Sequence, residues 1–578
     1  IELLIDRRAS GAHKGIVLCM SEEAGITREN KKEKEAYRLE ITPEGATVCA
    51  AEKEGLFNGV QTLRQLIIQY GSSLPCLYIE DYPALSVRGW FMDVTRGRIP
   101  KMSYLKELAD RCSLYKINQL HLYIEHTFLF DGLSEVWRDD TPLTAQDILE
   151  FDAYCAERNI ELVPSVATFG HLYKVLRTKT FHELSEVEEA EGTAFSFYER
   201  MCHHTLNSTD DRAYELVCRL IDEYSPLFRS NLFNINCDET FDLGRGRGKE
   251  RADEIGSHVM YVQWVNRVCE HVKALGKRPM FWGDIIAAHP EAIKELPEDV
   301  ICMTWDYSPT PREINVKKLW ENGAHQYLCP GVQGWNQAIH RLDNAYENIK
   351  QMAAFAHKYD GEGLLNTDWG DFGHFQHPEL SMVGIIYGAA FSWNSDIPEK
   401  AAINADISVI EYGDRSASLV EVISHMSNQA VVNWGEFVRI LENCRYQVAE
   451  REVTAFWEKY DKQTENAQEQ IASCNEAIRN DMAKVSALLV GIEEGKRKYI
   501  APILHMAEGQ ILINTMFGVL KKVHDGQQNP CADKKALAEA FEIWYYEYRR
   551  QWHKISRESE LYRIGELIFW LADYIREL

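Results

Sequence analysis

The chain has 578 residues, a formal net charge of −25, and 14 cysteines of which no two are spaced as Cys-x-x-Cys. This charge argues against a partner such as DNA, RNA or anionic lipid, because such binders need a positive field to attract the ligand. The cysteine spacing argues against a structural zinc site or a redox motif. The length predicts about three domains.

The cysteine pattern and the apolar pattern also bear on location. Scattered cysteines are typical of core thiols in a reducing compartment, which predicts a cytoplasmic protein. The sequence holds no uninterrupted run of 18 apolar residues, so we expect no membrane partner. The chain starts at Ile1 rather than at Met, and an export signal upstream of Ile1 would also fit this sequence.

Residues 1–84 predict a small α+β domain. The segment 37–51 alternates apolar and polar residues around Pro43 and Gly45, as a β-hairpin does. The segment 55–70 repeats apolar residues at helical spacing. A hairpin followed directly by an amphipathic helix is enough to build a small sheet covered on one face.

Residues 85–398 predict a catalytic (β/α)₈ barrel. Eight short apolar runs recur here with helical segments between them, and runs that are apolar on both faces are typical of parallel strands. Eight such units fit a closed barrel better than an open sheet, and the glycine motif of dinucleotide-binding folds is absent. The runs are RGWFMDVT (88–95), QLHLYIEH (119–126), IELVPSVAT (160–168), LFNINCDE (232–239), RPMFWGD (278–284), VICMTWDY (300–307), HQYLCPG (325–331) and GLLNTDWG (363–370).

Residues 399–578 predict a helical region. It holds two of the 17 prolines, Pro502 and Pro530, and long stretches repeat apolar residues every three or four positions. The repeats do not hold a and d positions over many heptads, so we expect these helices to pack back on the protein or across a homodimer.

Acidic and tryptophan side chains dominate the ends of the eight predicted strands, where barrel enzymes carry their chemistry. Tryptophan faces and carboxylates suit a pyranose, which offers C–H faces for stacking and hydroxyls for hydrogen bonds. Single acids such as Asp93 and Asp284 are interpreted as structural, since strand-end acids often cap the next helix. The adjacent pair Asp238 and Glu239 is interpreted as functional, because two neighbouring buried acids repel each other.

Two further motifs are interpreted as non-catalytic. The run GRGRGKER (244–251) lacks the spacing of a phosphate-binding loop, and we expect a mobile lid or solvated loop. The pair His203 and His204 has no third ligand at metal-like spacing, so a surface or core role is expected for it. The sequence therefore predicts no metal and no organic cofactor.

The motifs YRLEITPEG, IEDYPALSVRGWFMDVTRGRIP, NQLHLYIEH, PSVATFGH and FNINCDET resemble glycoside hydrolase family 20, the β-N-acetylhexosaminidases. The resemblance runs from about residue 37 to residue 395. It implies hydrolysis of terminal non-reducing β-linked GlcNAc or GalNAc with retention, in which the substrate's own acetamide attacks the anomeric carbon. The implied partner is a glycan that ends in an N-acetylhexosamine.

The resemblance also implies roles for single residues. Glu239 would be the general acid/base, Asp238 would orient the acetamide, and Tyr327 would hydrogen-bond the acetamide carbonyl. Arg88 would hydrogen-bond the hydroxyls of the sugar. His171 and Glu125 would lie behind the acid and adjust its pKa. The walls of the sugar subsite would be Trp282, Trp305 and Trp369.

This chain departs from the family pattern at three positions. Glu125 and Cys329 stand where an Asp is usual, and Asp371 stands near the place of a Glu that contacts O4 or O6. These changes leave open a hydrolase restricted to GalNAc or to a modified hexosamine. A non-catalytic sugar-binding protein is a third hypothesis, which the intact pair of Asp238 and Glu239 argues against.

Overall fold

The computed structural model describes residues 15–188 apart from 26, 29 and 30, and then residues 194–464 and 466–578. Residues 1–14 of the predicted first domain lie outside this description. The described chain forms a small N-terminal sheet, a closed barrel of eight parallel strands and a C-terminal helical region. The predicted fold class, a (β/α)₈ barrel with two flanking parts, is confirmed.

The N-terminal sheet has four main strands, in which the first pairs with the third, the third with the second, and the second with the fourth. The predicted hairpin is present, with Thr42 paired to Gly45 across the turn. Alternation along the second strand buries Tyr37, Leu39 and Ile41 in one small core. The elements are β1 (Gly15–Met20), β2 (Tyr37–Thr42), β3 (Gly45–Ala50), helix α1 (Lys53–Tyr70) and β4 (Leu77–Asp81).

The barrel closes with its eight strands in sequence order, each parallel to its neighbours. All eight predicted apolar runs form these strands, and most of their residues are buried as the runs predict. One boundary differs, because the fourth strand ends at Asn234, four residues before Asp238. The strands are β5 (Val87–Asp93), β6 (Gln119–Ile124), β7 (Glu161–Val166), β8 (Leu232–Asn234), β9 (Arg278–Trp282), β10 (Ile301–Trp305), β11 (His325–Cys329) and β12 (Gly363–Asp368).

Helices connect the barrel strands and cover them from outside. Their apolar sides share one continuous core with the strands, so the carboxyl ends of the strands and the loops that follow form one open face. The main helices are α2 (Met102–Leu114), α3 (Ala145–Ala156), α4 (Asp211–Tyr224), α5 (Ser257–Ala274), α6 (Glu313–Glu321), α7 (Leu342–Lys358) and α8 (Met382–Trp393).

The C-terminal helices pack back on the barrel. Pro100 pairs with Ser556 in an antiparallel bridge, and the Arg98 side chain donates to Ser556 Oγ. Within the described part of the chain, one helical segment (Glu494–His524) is long and apolar enough to span a membrane, yet 72% of its apolar window is buried within the protein, as in a core helix. The helices are α9 (Lys400–Ile410), α10 (Leu419–Ser427), α11 (Trp434–Tyr446), α12 (Glu450–Gln463), α13 (Ala467–Leu488), α14 (Ala501–His524), α15 (Lys534–Ile555) and α16 (Leu561–Glu577).

Candidate active site

The two adjacent acids lie on a tightly turned segment beyond β8. In a regular strand neighbouring side chains point to opposite faces, which would separate Asp238 from Glu239. Here Asn236, Cys237 and Glu239 have φ of 58°, 67° and 51°, in the left-handed region that non-glycine residues seldom adopt. The turn brings both carboxylates to the same side of the barrel mouth, so the backbone conformation creates the pair.

His171 is the point where the two acids meet. Its Nε2 lies 3.3 Å from Asp238 Oδ2 and 3.4 Å from Glu239 Oε2. The loop that carries it passes so close to the acid segment that a Cβ on Gly170 would lie 2.6 Å from the Asp238 carbonyl oxygen. A glycine at position 170 therefore allows the imidazole to reach both carboxylates.

The other ring nitrogen of His171 faces a cation. Arg96 Nη2 lies 3.2 Å from His171 Nδ1, so the guanidinium donates and Nδ1 accepts. Burial lowers the pKa of His171, but the Asp238 and Glu239 carboxylates outweigh it and raise the pKa to about 10. The carboxylates thus favour an imidazolium, whereas the Arg96 contact favours a neutral ring with its proton on Nε2. A second proton, on Nδ1, would face the Arg96 guanidinium, so this contact opposes the rise in pKa that the two carboxylates cause.

Arg96 holds the centre of the charge network behind the acids. It donates to Glu125 Oε1 at 3.1 Å and to Asp371 Oδ1 at 2.9 Å. Glu125 is linked to His171 through Arg96, and Glu125 Oε1 also accepts a hydrogen bond from the Tyr123 hydroxyl. Asp93 accepts from the backbone N–H groups of residues 95, 96 and 370, so it ties the ends of β5 and β12 together.

Asp284 positions the proposed acid from below. Its Oδ2 accepts the backbone N–H of Glu239 at 3.0 Å, and its side chain is buried. Burial and repulsion from the Asp238 carboxylate raise the pKa of Asp284 from 3.8 to about 8. The folded protein therefore keeps a proton here at neutral pH, which the unfolded chain would release.

This shift predicts a pH-dependent effect of Asp284→Asn. Between about pH 4 and pH 8 the folded state holds the proton and the unfolded state does not, so rising pH destabilises the wild type. An amide has no such cost and can still accept the Glu239 N–H. We expect the melting temperature of the variant, relative to wild type, to rise across this window and to level off above it. Thermal unfolding at a series of pH values measures this, and a constant difference from pH 4 to pH 9 would contradict the assignment.

Aromatic rings line the mouth beside the acids. Trp369 Nε1 donates to Tyr307 Oη at 2.7 Å, and Tyr307 stacks on Trp305 with ring centroids 5.0 Å apart. Trp335 packs edge-on against Tyr307 at 4.8 Å. Trp282 is fully buried behind Trp369, at 5.6 Å, and so belongs to the floor of the site.

The structure contradicts the placement of Arg88 in this site. Arg88 lies at the start of β5, at the amino end of the barrel, where its guanidinium pairs with Glu35 of the N-terminal domain and with the carbonyl oxygen of Lys116. Arg96 follows the same strand at its carboxyl end and lies among the acids. The sequence already favoured Arg96, because it follows the predicted strand at the carboxyl end, where barrel sites form.

The structure also contradicts the placement of Tyr327 in this site. Its side chain is buried inside the barrel, where its charged or hydrogen-bonding neighbours are Gln119, Glu161 and Arg278, the first residues of their strands. These neighbours put the Tyr327 hydroxyl near the amino end of the barrel. Tyr307, just beyond β10, is the tyrosine at the mouth, and Asp238 is among the charges that act on it. Cys329 is buried and contacts the backbone of Tyr327, so it does not replace a sugar-binding acid.

His203 lies at the acid pair, which the sequence did not predict. Its Nδ1 is 3.4 Å from Glu239 Oε2, and its ring meets that of His171 edge-on at 5.6 Å. The three side chains of His171, His203 and Glu239 bring one ligand-type atom each within 4.8 Å of one another. This spacing also fits imidazoles hydrogen-bonded to a carboxylate, and the expected absence of a metal stays a prediction.

The glycine-rich run 244–251 is held by a buried carboxylate. Glu186 Oε1 accepts the backbone N–H groups of Gly244, Gly246 and Gly248 at 3.0–3.1 Å. A Cβ on Gly246 would lie 2.0 Å from the Glu186 carbonyl oxygen, so only glycine fits. Arg245 and Arg247 are exposed, as expected of a solvated loop, and a carboxylate of the chain itself fills this ring of N–H groups. The expected mobility of the run stays a prediction.

The C-terminal region reaches the same charge network. Glu560 pairs with Arg200, whose Nη2 lies 3.6 Å from Glu125 Oε2 and donates to the carbonyl oxygen of Thr95 at 2.9 Å. The chain of charges from Glu560 through Arg200, Glu125 and Arg96 thus ends at His171. The helical region therefore supports the back of the site.

Two family models match the chain. Glycosyl hydrolase family 20, catalytic domain, matches residues 86–368, and Glycosyl hydrolase family 20, domain 2, matches residues 6–82. The first match runs from the start of β5 to the end of β12, and so covers all eight strands together with the acid pair.

Named relatives and solved structures agree with these models. A beta-hexosaminidase of Akkermansia muciniphila is 33% identical over 160 residues, which are 24% of this chain and 32% of that protein. Human hexosaminidase D is 26% identical over 305 residues, which are 48% of this chain and 59% of that protein. The chain thus spans less than two thirds of either relative. The GH20 β-N-acetylhexosaminidase structure from Streptomyces coelicolor shares the fold with a TM-score of 0.53 at 22% identity, over 69% of this chain and 84% of that one.

Proposed function

The chain belongs to glycoside hydrolase family 20, and on this premise we propose that it is an exo-β-N-acetylhexosaminidase. Its substrates would be glycans with a terminal non-reducing β-linked GlcNAc or GalNAc, cleaved with retention of the anomeric configuration. Both named relatives are called hexosaminidases, which supports this proposal. The proposal assigns the chemistry to Asp238 and Glu239.

One observation carries the proposal: both carboxylates converge on a single nitrogen, His171 Nε2, at 3.3 and 3.4 Å. A retaining glycosidase with its own nucleophile places the nucleophile and the acid on opposite sides of the scissile bond, about 5–5.5 Å apart. Two carboxylates that contact the same atom lie on one side. This arrangement favours substrate-assisted catalysis, in which the 2-acetamido oxygen attacks the anomeric carbon.

The two acids differ in burial, and we assign them different roles accordingly. Asp238 is the deeper one, with 9% of its side chain exposed, and would accept the acetamide N–H and stabilise the positive charge of the oxazoline-like intermediate. Glu239, with 29% exposed, would protonate the glycosidic oxygen and then take a proton from the attacking water. The partly exposed rings of Trp305, Tyr307 and Trp335 would contact the sugar and its acetamide.

The protonation of Glu239 would depend on the bound sugar. Burial raises the pKa of Glu239, but its contacts with His171 and His203 outweigh this effect and hold the pKa below the ordinary range. A glycosidic oxygen placed at the carboxylate would compete with these imidazole contacts and bury the group further. Both changes raise the pKa of a carboxyl group, so substrate binding would favour the protonated acid.

Arg96 and Asp371 would recognise the sugar hydroxyls in place of Arg88. Asp371 is partly exposed at the mouth and is oriented by its 2.9 Å bond with Arg96. We expect Arg96→Lys to lower kcat/KM about 10²-fold, since an ammonium cannot hold Glu125, Asp371 and His171 together. Arg88→Lys is the matched control: it should lower the melting temperature through the lost pairing with Glu35, and leave kcat/KM of the folded protein near wild type. Equal losses of kcat/KM in both variants would contradict this exchange of roles.

Hydrolysis of three p-nitrophenyl glycosides tests the function. The β-GlcNAc and β-GalNAc substrates should be cleaved and the β-glucoside should not, because the glucoside lacks the acetamide. Cleavage of GalNAc alone would favour the restricted hydrolase, and cleavage of none would favour a sugar-binding protein. Cleavage of the glucoside at a similar rate would contradict acetamide participation.

A cytoplasmic location and a homodimer complete the proposal. The location rests on the cysteine spacing, and the dimer rests on the extent of the helical region. Fractionation of the native host tests the location, and light scattering coupled to size-exclusion chromatography tests the dimer.

A further inference from the structure

Phe241 is a large exposed aromatic side chain beside the proposed acid. It follows Glu239 by two residues, and 48% of its surface is exposed. Its backbone N–H donates to the Glu239 carbonyl oxygen at 2.8 Å, so its backbone is fixed to that of the acid. The exposed phenyl ring keeps apolar surface in water, which a ligand stacked on the ring would cover.

His203 connects the Phe241 ring to the carboxylate. The two rings meet edge-on, with centroids 4.9 Å apart and an interplanar angle of 90°, and His203 Nδ1 lies 3.4 Å from Glu239 Oε2. His203 has a φ of 69°, a conformation that non-glycine residues rarely hold without support. Its carbonyl oxygen accepts from the His171 N–H and the Thr205 hydroxyl, which supply that support.

The chemistry of the acid fixes which part of a substrate lies here. A general acid protonates the oxygen that joins the cleaved sugar to its leaving group, so this oxygen must come within hydrogen-bonding distance of Glu239. The cleaved sugar lies inward, beside the deeper Asp238. The leaving group must therefore extend outward past Glu239, to the side where His203 and Phe241 are exposed.

Resting on the proposed function, we propose that Phe241, supported by His203, is a binding platform for the leaving-group sugar. A pyranose would stack the apolar C–H face of its ring on the phenyl face, as sugars do on aromatic side chains. The protein would then act on oligosaccharides, whose leaving group is a second sugar, in preference to glycosides of small alcohols.

Two substrates with different leaving groups test this inference. One is N,N′-diacetylchitobiose, which releases a sugar, and the other is 2,2,2-trifluoroethyl β-GlcNAc, which releases a small alcohol with no ring. We expect Phe241→Ala to lower kcat/KM for the disaccharide about tenfold more than for the trifluoroethyl glycoside. Phe241→Trp should keep the wild-type preference, since it keeps an aromatic face.

Phe569→Ala on α16 is the matched control, because Phe569 is also 50% exposed but lies in the C-terminal region. It should leave the ratio of the two kcat/KM values unchanged. If the wild type cleaves both substrates and Phe241→Ala lowers both equally, the platform is refuted while the proposed function stands. If the wild type cleaves neither, the proposed function fails and the platform with it.

Discussion

Glu239→Gln is expected to lower kcat by about 10² to 10⁴-fold on substrates with poor leaving groups, because an amide can neither donate the proton nor take one from water. Substrates with acidic leaving groups need less help from an acid in the first step, so the loss should be smaller for them. Steady-state kinetics on a series of aryl and alkyl β-GlcNAc substrates measures the dependence on leaving-group acidity. A steeper dependence in the variant than in wild type is the signature of a lost general acid.

The structure also predicts what Glu239→Gln leaves intact. Gln has the same shape, and the Asp284 carboxyl group holds the backbone of residue 239 rather than its side chain. The fold should therefore persist, although the melting temperature should fall at neutral pH, because the variant loses the charged contacts with His171 and His203 that hold the pKa of Glu239 low. Glu250→Gln, at an exposed position in the first turn of the short helix Lys249–Ile255, is the control and should have wild-type kinetics. Near-normal turnover of poor leaving groups by Glu239→Gln would rule out the assigned role.

Asp238→Asn is expected to lower kcat/KM by about 10² to 10³-fold, as the loss of one preorganised electrostatic group does in other active sites. The amide keeps the shape of the carboxylate, but it loses the charge that would stabilise the oxazoline-like intermediate. Affinity for GlcNAc-thiazoline, which resembles this intermediate, should fall in parallel. Inhibition kinetics measures it, and an unchanged inhibition constant would contradict the role.

A second measurement separates a catalytic effect of Asp238→Asn from a folding defect. Repulsion from Asp238 contributes to the raised pKa of Asp284, so removing the charge should lower that pKa. The variant should then be at least as stable as wild type at neutral pH while being far less active. A large loss of stability together with the loss of activity would point to a structural role instead.

Arg88 and Arg96 lie at opposite ends of the barrel, and the resemblance assigned the sugar-binding role to the wrong one, Arg88. Both stand in the run RGWFMDVTRG, where Arg88 is the second residue of β5 and Arg96 follows its carboxyl end. The family resemblance assigned the sugar-binding role to Arg88. The direction of the strand instead places Arg96 at the mouth of the barrel. Arg88 instead joins the N-terminal domain to the amino end of the barrel through Glu35.

The sequence by itself determined the eight strands, the helical C-terminal region, the acid pair and the family resemblance. Strand and helix patterns depend on residues a few positions apart, and a local pattern survives in the folded chain when burial agrees with it. The placement of Trp305, Trp369 and Asp371 at the mouth follows from the same strand order.

The tertiary structure alone decided how the site is assembled. His203 reaches Glu239, Glu186 closes the glycine-rich loop, and Glu560 joins the network from more than 300 residues away. Each of these contacts is made by a loop or by a distant segment, whose position depends on the packing of the whole chain rather than on any local period. The left-handed turn at Glu239 is of the same kind, because surrounding packing must hold a strained backbone that no local preference would select.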